Sequence, residues 1–303
     1  MNLPSKAAVQ LLEDTIQDSL RSLDTNGLTI LGYGEITTVF RLDADGESFA
    51  CKRFPVFRSA KDAEEHQRLI EEYIVALDDH GIHVLDSGFV PLTTADGRTV
   101  LYLVQPIIDS SRIGPAYVTS QAPDDAAELF RTILLTLKGC VSSSLAPDGQ
   151  LSNWVVLDNG LAYMDISTPF MRSRDGDERC NWGMLTESVL SGLLAPARSY
   201  FKKKAPETVA SYYTLRGQAI DFLGNLRKED LGHLIEPFIP IANDVLELEE
   251  PITIDDVKKY YNEDADFYAL LMRLMRINSV FYRHILRKTY PNFIPPRIER
   301  NKF

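Results

Sequence analysis

The sequence predicts an α+β chain built from two lobes, a small five-stranded antiparallel sheet followed by a larger, mainly helical part. Short apolar segments separated by turn residues fill the first third of the chain, and one helical segment interrupts them. From Asp124 onward, helical spacing dominates almost to the end. We therefore expect residues 1–106 to form an N-terminal helix and the small lobe, and residues 107–303 to form the helical lobe.

The small lobe is predicted to open with an amphipathic helix, because apolar residues recur at helical spacing from Ala7 to Leu20. A second helix is predicted over residues 59–79, between the third and fourth strands. The turn residues Asp43, Asp45 and Gly46 separate two of the strands. The five predicted strands cover residues 28–31, 37–42, 49–54, 83–91 and 100–105.

One non-helical stretch interrupts the second lobe over residues 145–170. It contains a loop, a strand over 154–157, the turn Asp158-Asn159-Gly160 and a strand over 161–165. Asn-Gly between two apolar runs is a strong hairpin signal, so we predict a β-hairpin here.

Charge and composition restrict the classes of function. The formal net charge of -11 opposes binding to nucleic acid and to anionic membranes, so we expect neither partner. Residues 202–204 and the tail over residues 283–302 are basic, but short basic runs are usually solvated surface. The first twenty residues carry acids and no continuous apolar run, which gives a cytoplasmic location as the expectation.

Two features of the small lobe suggest phosphate binding. Gly32 and Gly34 lie at the turn between the first two strands, where backbone N–H groups could approach a phosphate without interference from a Cβ. Ordinary turn chemistry explains two such glycines equally well. Lys52 lies in a mostly apolar strand, and a buried ammonium there needs a partner, for which Glu71 and Glu72 are candidates. A solvent-facing Lys52 is the alternative.

The residues around the predicted hairpin suggest metal-assisted phosphoryl transfer. Asp148 and Asn153 stand five residues apart, and Asp165 ends the second strand. Such chemistry needs one carboxylate to orient and deprotonate the acceptor, and a carboxylate with an amide oxygen to hold Mg²⁺. The alternative is that Asp148 and Asn153 are turn residues and Asp165 caps a strand.

These residues together resemble the protein-kinase-like superfamily, and within it the branch of aminoglycoside and choline phosphotransferases. The resemblance runs in order from Leu28 to about Phe170 and implies a bilobal fold that binds ATP and Mg²⁺, with Asp148 as the catalytic residue and Asn153 and Asp165 as metal ligands. The matching residues are Gly32, Gly34 and Val39 for the glycine-rich loop, Lys52 for the strand-three lysine, Asp148 and Asn153 for the catalytic loop, and Asp165 for the second metal-binding aspartate.

The resemblance also implies further contacts in the small lobe. Glu71 is the implied partner of Lys52, because His80-Gly81-Ile82 follows nine residues later, as at the passage from helix C into strand four, and Glu72 is the second choice. Gln105 and Ile107 fall at the adenine-binding hinge after the fifth strand.

Three departures from the family pattern bear on activity. Ala146 stands where the family usually has a histidine that braces the catalytic loop, Thr37 replaces the third glycine, and Asp165-Ile166-Ser167 replaces Asp-Phe-Gly. The residue types that carry the chemistry are retained. We therefore expect an active enzyme, with a catalytically silent pseudokinase that binds nucleotide or acts as a scaffold as the alternative.

No Ala-Pro-Glu signature follows Asp165, which favours a phosphotransferase with a small-molecule hydroxyl or amine acceptor. A protein kinase or a nucleotidyltransferase is the less favoured reading of the same site. The acidic stretch over residues 244–266 could attract a cationic acceptor. A solvated helix face explains that stretch as well.

Overall fold

The structure is a computed structural model that describes residues 1–34, 37–94, 96–183, 192–197, 199, 207, 209–296 and 302–303. It has the predicted α+β, bilobal architecture, in which a five-stranded antiparallel sheet with one inserted helix is followed by a helical lobe. The basic run at residues 202–204 lies outside the described residues. The helices are α1 Lys6–Ser22, α2 Ala60–Asp79, α3 Gly114–Thr119, α4 Pro123–Cys140, α5 Leu215–Lys228, α6 Ile235–Leu246 and α7 Ile254–His284.

The sheet of the small lobe has the strand order β1-β2-β3-β5-β4. All five strands were predicted, although the fourth begins at Gly88 instead of residue 83, and Val84 only forms an isolated bridge with Tyr163. Asp45 and Gly46 both have positive φ at the tight turn between β2 and β3, which explains the turn residues there. The strands are β1 Ile30–Tyr33, β2 Thr38–Ala44, β3 Glu47–Arg53, β4 Gly88–Thr93 and β5 Thr99–Pro106.

The sheet is covered on both faces, so β5 is buried along most of its length. Tyr102 and Val104 pack with α1, whereas Leu101 and Leu103 pack with α2 and with residues of the helical lobe. This alternation follows from the two-residue period of a strand. The core that contains Leu101 continues into the helical lobe, and the predicted boundary at residue 106 therefore stays a prediction.

A buried ion pair fastens α1 to the sheet. The Arg53 Nε donates to Glu13 Oε2 at 2.7 Å, and each side chain is only 4% exposed. Tyr102 also donates its hydroxyl to Glu13. Because both charges are removed from water, each depends on the other to remain ionised.

The helical lobe carries two small two-stranded pairings near the sheet. The predicted hairpin forms β7 Trp154–Leu157 and β8 Gly160–Tyr163, with Leu157 opposite Gly160. Strand β6 Leu145–Ala146 pairs with β9 Phe170–Met171. The lobe packs around Phe130 of α4, whose ring stacks on Phe238 of α6 at 4.6 Å between centroids.

The chain returns to the small lobe after α7. Phe293 packs edge-on against Phe40 at 5.5 Å between ring centroids, and Arg53 Nη1 donates to the carbonyl of Pro291 at 3.3 Å. Tyr290 is 1% exposed. The basic residues Arg287 and Lys288 of this tail are exposed, as expected for solvated surface, whereas residues 290–293 pack against the rest of the chain. In the described part of the chain, no helix is both long and apolar enough to cross a membrane.

Candidate functional site

Lys52 and Asp165 meet where the sheet faces the helical lobe. The Nζ of Lys52, on β3, lies 2.7 Å from Oδ1 of Asp165, just after β8. It also lies 3.3 Å from Oγ of Ser167. Two residues that are 113 positions apart in sequence therefore form one charged pair beside the hairpin.

Residues that are distant in sequence fix the backbone beside Asp165. Met164 donates its N–H to the carbonyl of Asn153, and its own carbonyl accepts from Nε2 of Gln105 at 2.9 Å. Gln105 Nε2 also donates to Ser87 at 3.0 Å. The side chain of Gln105 thus ties β5 to the strand that leads to Asp165, while Ile107, just beyond β5, is half-buried.

The two oxygens of Asp165 have different surroundings. Oδ1 accepts from Lys52 and from both the backbone N–H and the hydroxyl of Ser167, at 3.1 and 2.6 Å for the latter two. Burial opposes ionisation, but the Lys52 ammonium and these hydrogen bonds outweigh it and lower the pKa of Asp165. No described residue donates to Oδ2, so this oxygen could bind a cation.

Asp148 lies nearby in an environment that opposes its ionisation. Burial, followed by the negative charge of Asp165, raises the pKa of Asp148. The amide of Gln150 donates to both carboxylate oxygens of Asp148, at 3.0 and 2.8 Å. Lys228, on α5, donates to Oε1 of the same Gln150 at 2.9 Å. The carboxylate of Asp148 is therefore held by a neutral amide that a lysine orients.

Side chains hold nearly every backbone polar group of the loop around Asp148, which leaves the loop a single conformation to adopt. The Ala146 carbonyl accepts from Tyr73, the Pro147 carbonyl from Gln218, the Asp148 carbonyl from Asn153 and the Gly149 carbonyl from Trp154, while the Asp148 N–H donates to Tyr163 and the Gly149 N–H to Gln218.

Asn153 has its amide oriented by the loop. Its Nδ2 donates to the Asp148 carbonyl at 3.0 Å, and the side chain is largely buried. This bond directs Oδ1 away from the loop backbone, and no described residue donates to that oxygen. Asn153 Oδ1 and Asp165 Oδ2 are thus two open oxygens of the kind that Mg²⁺ prefers.

The glycine turn lies at the end of β1 and β2, although its tip at residues 35–36 is outside the described residues. Gly34 donates its N–H to the Thr37 carbonyl at 2.9 Å, and a Cβ on Gly34 would lie 2.6 Å from the Thr37 hydroxyl. A Cβ on Gly32 would meet nothing within 4 Å. Val39 lies opposite Lys52 in the β2–β3 register, so the glycine turn and the lysine are neighbours.

The predicted pairing of Lys52 with Glu71 is wrong, and so is the second choice, Glu72. Glu71 is exposed and accepts from Gln67 at 2.8 Å, and Glu72 pairs with Arg179. The reason is the helix face: Glu71 and Glu72 lie roughly 100° and 200° around α2 from the buried Ile70. Asp165 therefore takes the place of an acidic partner on α2.

Sequence reasoning missed a buried polar stripe on α5. Gln218, Asp221 and Asn225 recur at spacings of three and four, and all three are buried in a helix whose other buried residues are apolar or glycine. That spacing is a signal that the sequence does contain, because buried polar residues at helical intervals must face a polar partner. Gln218 bonds to the loop around Asp148, whereas Asp221 bonds to Asn225 and Tyr260.

Asp221 is the one carboxylate in the stripe formed by Gln218, Asp221 and Asn225. Its Oδ1 accepts from Asn225 at 3.0 Å and from the Tyr260 hydroxyl at 2.5 Å, whereas its buried Oδ2 has no hydrogen-bond partner among the described residues. Burial and the charge of Asp148 raise the pKa of Asp221 to about 8, against the opposing Tyr260 hydrogen bond and despite nearby Lys228.

Two solved structures are similar in part to this chain. One is a mutant of the kinase domain of Mycobacterium tuberculosis PknI, with 17% identity, a TM-score of 0.29 and coverage of 47% of this chain and 60% of that chain. The other is WaaP in complex with acyl carrier protein, with 13% identity, a TM-score of 0.31 and coverage of 75% of this chain and 91% of that chain. Both likenesses are weak, so the description of the fold rests on the chain's own topology.

No curated protein matches the sequence. The sequence pattern described as "Family of unknown function (DUF6206)" matches residues 11–279, which is most of the chain and includes the whole site described above. The chain belongs to this family of unknown function, DUF6206.

Proposed function

We propose that this chain is an ATP- and Mg²⁺-dependent phosphotransferase that acts on a hydroxyl or amine of a small molecule. The convergence of Lys52, Asp148, Asn153 and Asp165 supports this proposal. Four residues from three separate segments come together beside a glycine turn, with one ammonium and two open oxygens among them. Phosphoryl transfer needs this combination of positive charge, metal ligands and a carboxylate near the acceptor.

The open oxygens of Asn153 and Asp165 fit Mg²⁺ in chemical type. Among the described residues no cluster of three His, Cys, Asp or Glu side chains is found. A site with two protein oxygens suits Mg²⁺, which keeps waters and binds phosphate oxygens in its remaining positions. A metal bound there would neutralise charge on the phosphates, and Lys52 would contribute a second positive charge to them.

Asp148 would orient the acceptor and take its proton. Its raised pKa makes its carboxylate a stronger proton acceptor than an exposed aspartate. Oδ2 of Asp148 accepts one hydrogen bond, from the Gln150 amide, and keeps a lone-pair position that an acceptor hydroxyl could use. The acceptor oxygen then bonds to phosphorus as its proton passes to the carboxylate, and the bond from phosphorus to the leaving oxygen breaks.

The surroundings of Asp221 favour an acceptor with positive charge. The negative charges of Asp148 and Asp264 both raise the pKa of Asp221, while the positive charge of Lys228 opposes the raised pKa of both Asp148 and Asp221. Asp264 belongs to the acidic stretch predicted to attract a cation, and Tyr260 of the same stretch donates to Asp221. A bound ammonium beside Asp221 would lower its raised pKa and stabilise its ionised form.

Thermal unfolding with nucleotide tests the binding half of the proposal. ATP with Mg²⁺ at a hundredfold excess over its dissociation constant should stabilise the fold by about 2.7 kcal/mol. Asp165→Ala should lose the Mg²⁺-dependent part of this gain, whereas Asp148→Asn should retain it and lose most turnover, since the nucleotide contacts are untouched. No shift with ATP, ADP or GTP, with or without Mg²⁺, would refute nucleotide binding at this site.

A pseudokinase is the second candidate, and one observation favours it. Lys52 is already neutralised by Asp165, and both oxygens of Asp148 are already bonded by Gln150, so the site is internally satisfied without substrate. Nucleotide binding without transfer to a broad panel of alcohols, amines and proteins would favour this candidate. Transfer that is abolished by Asp148→Asn would exclude it.

A further inference from the structure

The amide of Gln218 straddles the loop that carries Asp148. Gln218, on α5, is 1% exposed, and both ends of its amide are used. Its Oε1 accepts from the Gly149 N–H at 3.0 Å, and its Nε2 donates to the Pro147 carbonyl at 2.6 Å. One side chain therefore holds the residues immediately before and after Asp148.

We propose that Gln218, on α5, is the positioning residue for Asp148. It braces the loop in this chain, where position 146 is an alanine and not a histidine. Ala146 is fully buried and has no polar side chain with which to brace the loop. The inference rests on the proposed phosphotransferase function. It goes beyond that function because it identifies a residue outside the catalytic loop that holds the catalytic carboxylate in position.

Gly149 has the small size that this arrangement requires. A Cβ at position 149 would lie 2.5 Å from Gln218 Oε1 and 3.0 Å from a methyl of Leu137. Any side chain there would push α5 and the loop apart. The glycine next to Asp148 and the buried amide on α5 are thus complementary, and each gives an independent way to disturb the same contact.

Gln218 also joins the loop to the opposite side of the site. Its Nε2 donates to the Tyr212 carbonyl at 2.8 Å, in addition to the Pro147 carbonyl. Burial raises the pKa of Tyr212, followed by the nearby charge of Asp221, so Tyr212 lies close to that carboxylate. The single amide therefore sets the position of Asp148 relative to the region proposed for the acceptor.

The structure predicts distinct behaviour for two substitutions. Gln218→Leu removes the hydrogen bonds to the loop and should lower turnover at least tenfold. Gln218→Glu keeps an oxygen that can accept from the Gly149 N–H, but its second oxygen then faces two carbonyl oxygens. Only the protonated acid can donate a hydrogen bond to one of these carbonyls. Its turnover relative to the unaltered chain should rise as pH falls from about 8 to about 6, and Gln218→Leu should show no such recovery.

The affinity for Mg-ATP distinguishes a loss of Asp148 positioning from a disruption of the whole site. Lys52 and Asp165 make no contact with Gln218, so the dissociation constant of Mg-ATP should change by less than about threefold in both variants. Gly149→Ala should reproduce the loss of turnover. Gly139→Ala is the matched control, because a Cβ there meets only the His80 carbonyl at 3.9 Å, and it should leave turnover unchanged.

Steady-state kinetics and nucleotide calorimetry on the full chain test whether Gln218 positions Asp148. Turnover of Gln218→Leu within twofold of the unaltered chain would overturn the proposal, as would a parallel loss of Mg-ATP affinity. If the unaltered chain transfers no phosphate, the proposed function fails, and hydrogen exchange then tests the brace alone. The Gly149 amide should exchange at least tenfold faster in Gln218→Leu, and unchanged exchange would overturn the inference.

Discussion

Replacing Asp221 with asparagine should remove a pH-dependent penalty on folding. The side chain is 3% exposed, and only one of its two oxygens is hydrogen-bonded. Asparagine has nearly the same shape, can accept from Tyr260 and Asn225 through its oxygen, and cannot ionise. The substitution therefore isolates the effect of the buried charge from the effect of packing.

The size of the penalty follows from the pKa. Burial and Asp148 raise the pKa of Asp221 from its ordinary value of 3.8 to about 8. Four pH units correspond to at most about 6 kcal/mol, and relaxation around the ionised group reduces this, so we expect at least about 2 kcal/mol. Between about pH 4 and pH 8 the folded chain keeps the proton that the unfolded chain has released. Stability therefore falls as pH rises through this window, and the penalty is absent below it.

Chemical denaturation at several pH values between about 5 and 8 measures this effect. The difference in unfolding free energy between Asp221→Asn and the unaltered chain should shift in favour of the variant by at least about 2 kcal/mol as pH rises. Asp230→Asn, at an exposed position with positive φ that asparagine tolerates, is the control. A difference that stays constant within about 0.5 kcal/mol would show that Asp221 does not titrate in this window.

Three further predictions concern the charged pairs and the C-terminal segment. Glu13→Gln should lower the unfolding free energy by about 3–5 kcal/mol in chemical denaturation, because it leaves Arg53 buried without its counter-charge, and adding Arg53→Met should recover part of the loss. Removal of residues 286–303 should lower Tm, since Phe293 no longer covers the sheet, and an unchanged Tm in a thermal melt would contradict this contact. Lys52→Met should weaken Mg-ATP binding at least tenfold by calorimetry, and equal affinity would place the phosphates elsewhere.

Local sequence signals predicted most of the fold because the responsible interactions are themselves local. Asp45 and Gly46 adopt positive φ between β2 and β3, and Gly160 does so at the start of β8, which is where turn chemistry indicated chain reversal. The return of the chain to the small lobe after α7 was not predictable in this way. It depends on Phe293 meeting Phe40, a contact between the two ends of the chain that no local pattern encodes.

The structure brings Lys52, Asp148, Asn153 and Asp165 together and leaves Glu71 outside, and the roles of these residues stay a prediction. Lys52 meets Asp165 across a separation that only the tertiary fold determines. Glu71 was chosen as the partner by its distance in sequence from His80. Which side chain points inward depends instead on the face of the helix, and the apolar residues of α2 already defined that face. The spacing of the polar residues on α5 indicates a buried polar stripe, but nothing local indicates that Gln218 bonds to the loop around Asp148.

The absence of an acid on the inner face of α2 changes how the site must be understood. Asp165 binds Lys52 through Oδ1 and leaves Oδ2 open, so one carboxylate can hold the lysine and still offer a metal ligand. The loop around Asp148 likewise lacks a histidine brace, yet Gln218 and four other side chains hold its backbone. A site is ordered by the number of backbone groups that are bonded and not by which residue bonds them. The lack of an acid on the inner face of α2 and of a histidine at position 146 is therefore compatible with a preorganised site, because each missing contact is replaced by one from a different segment.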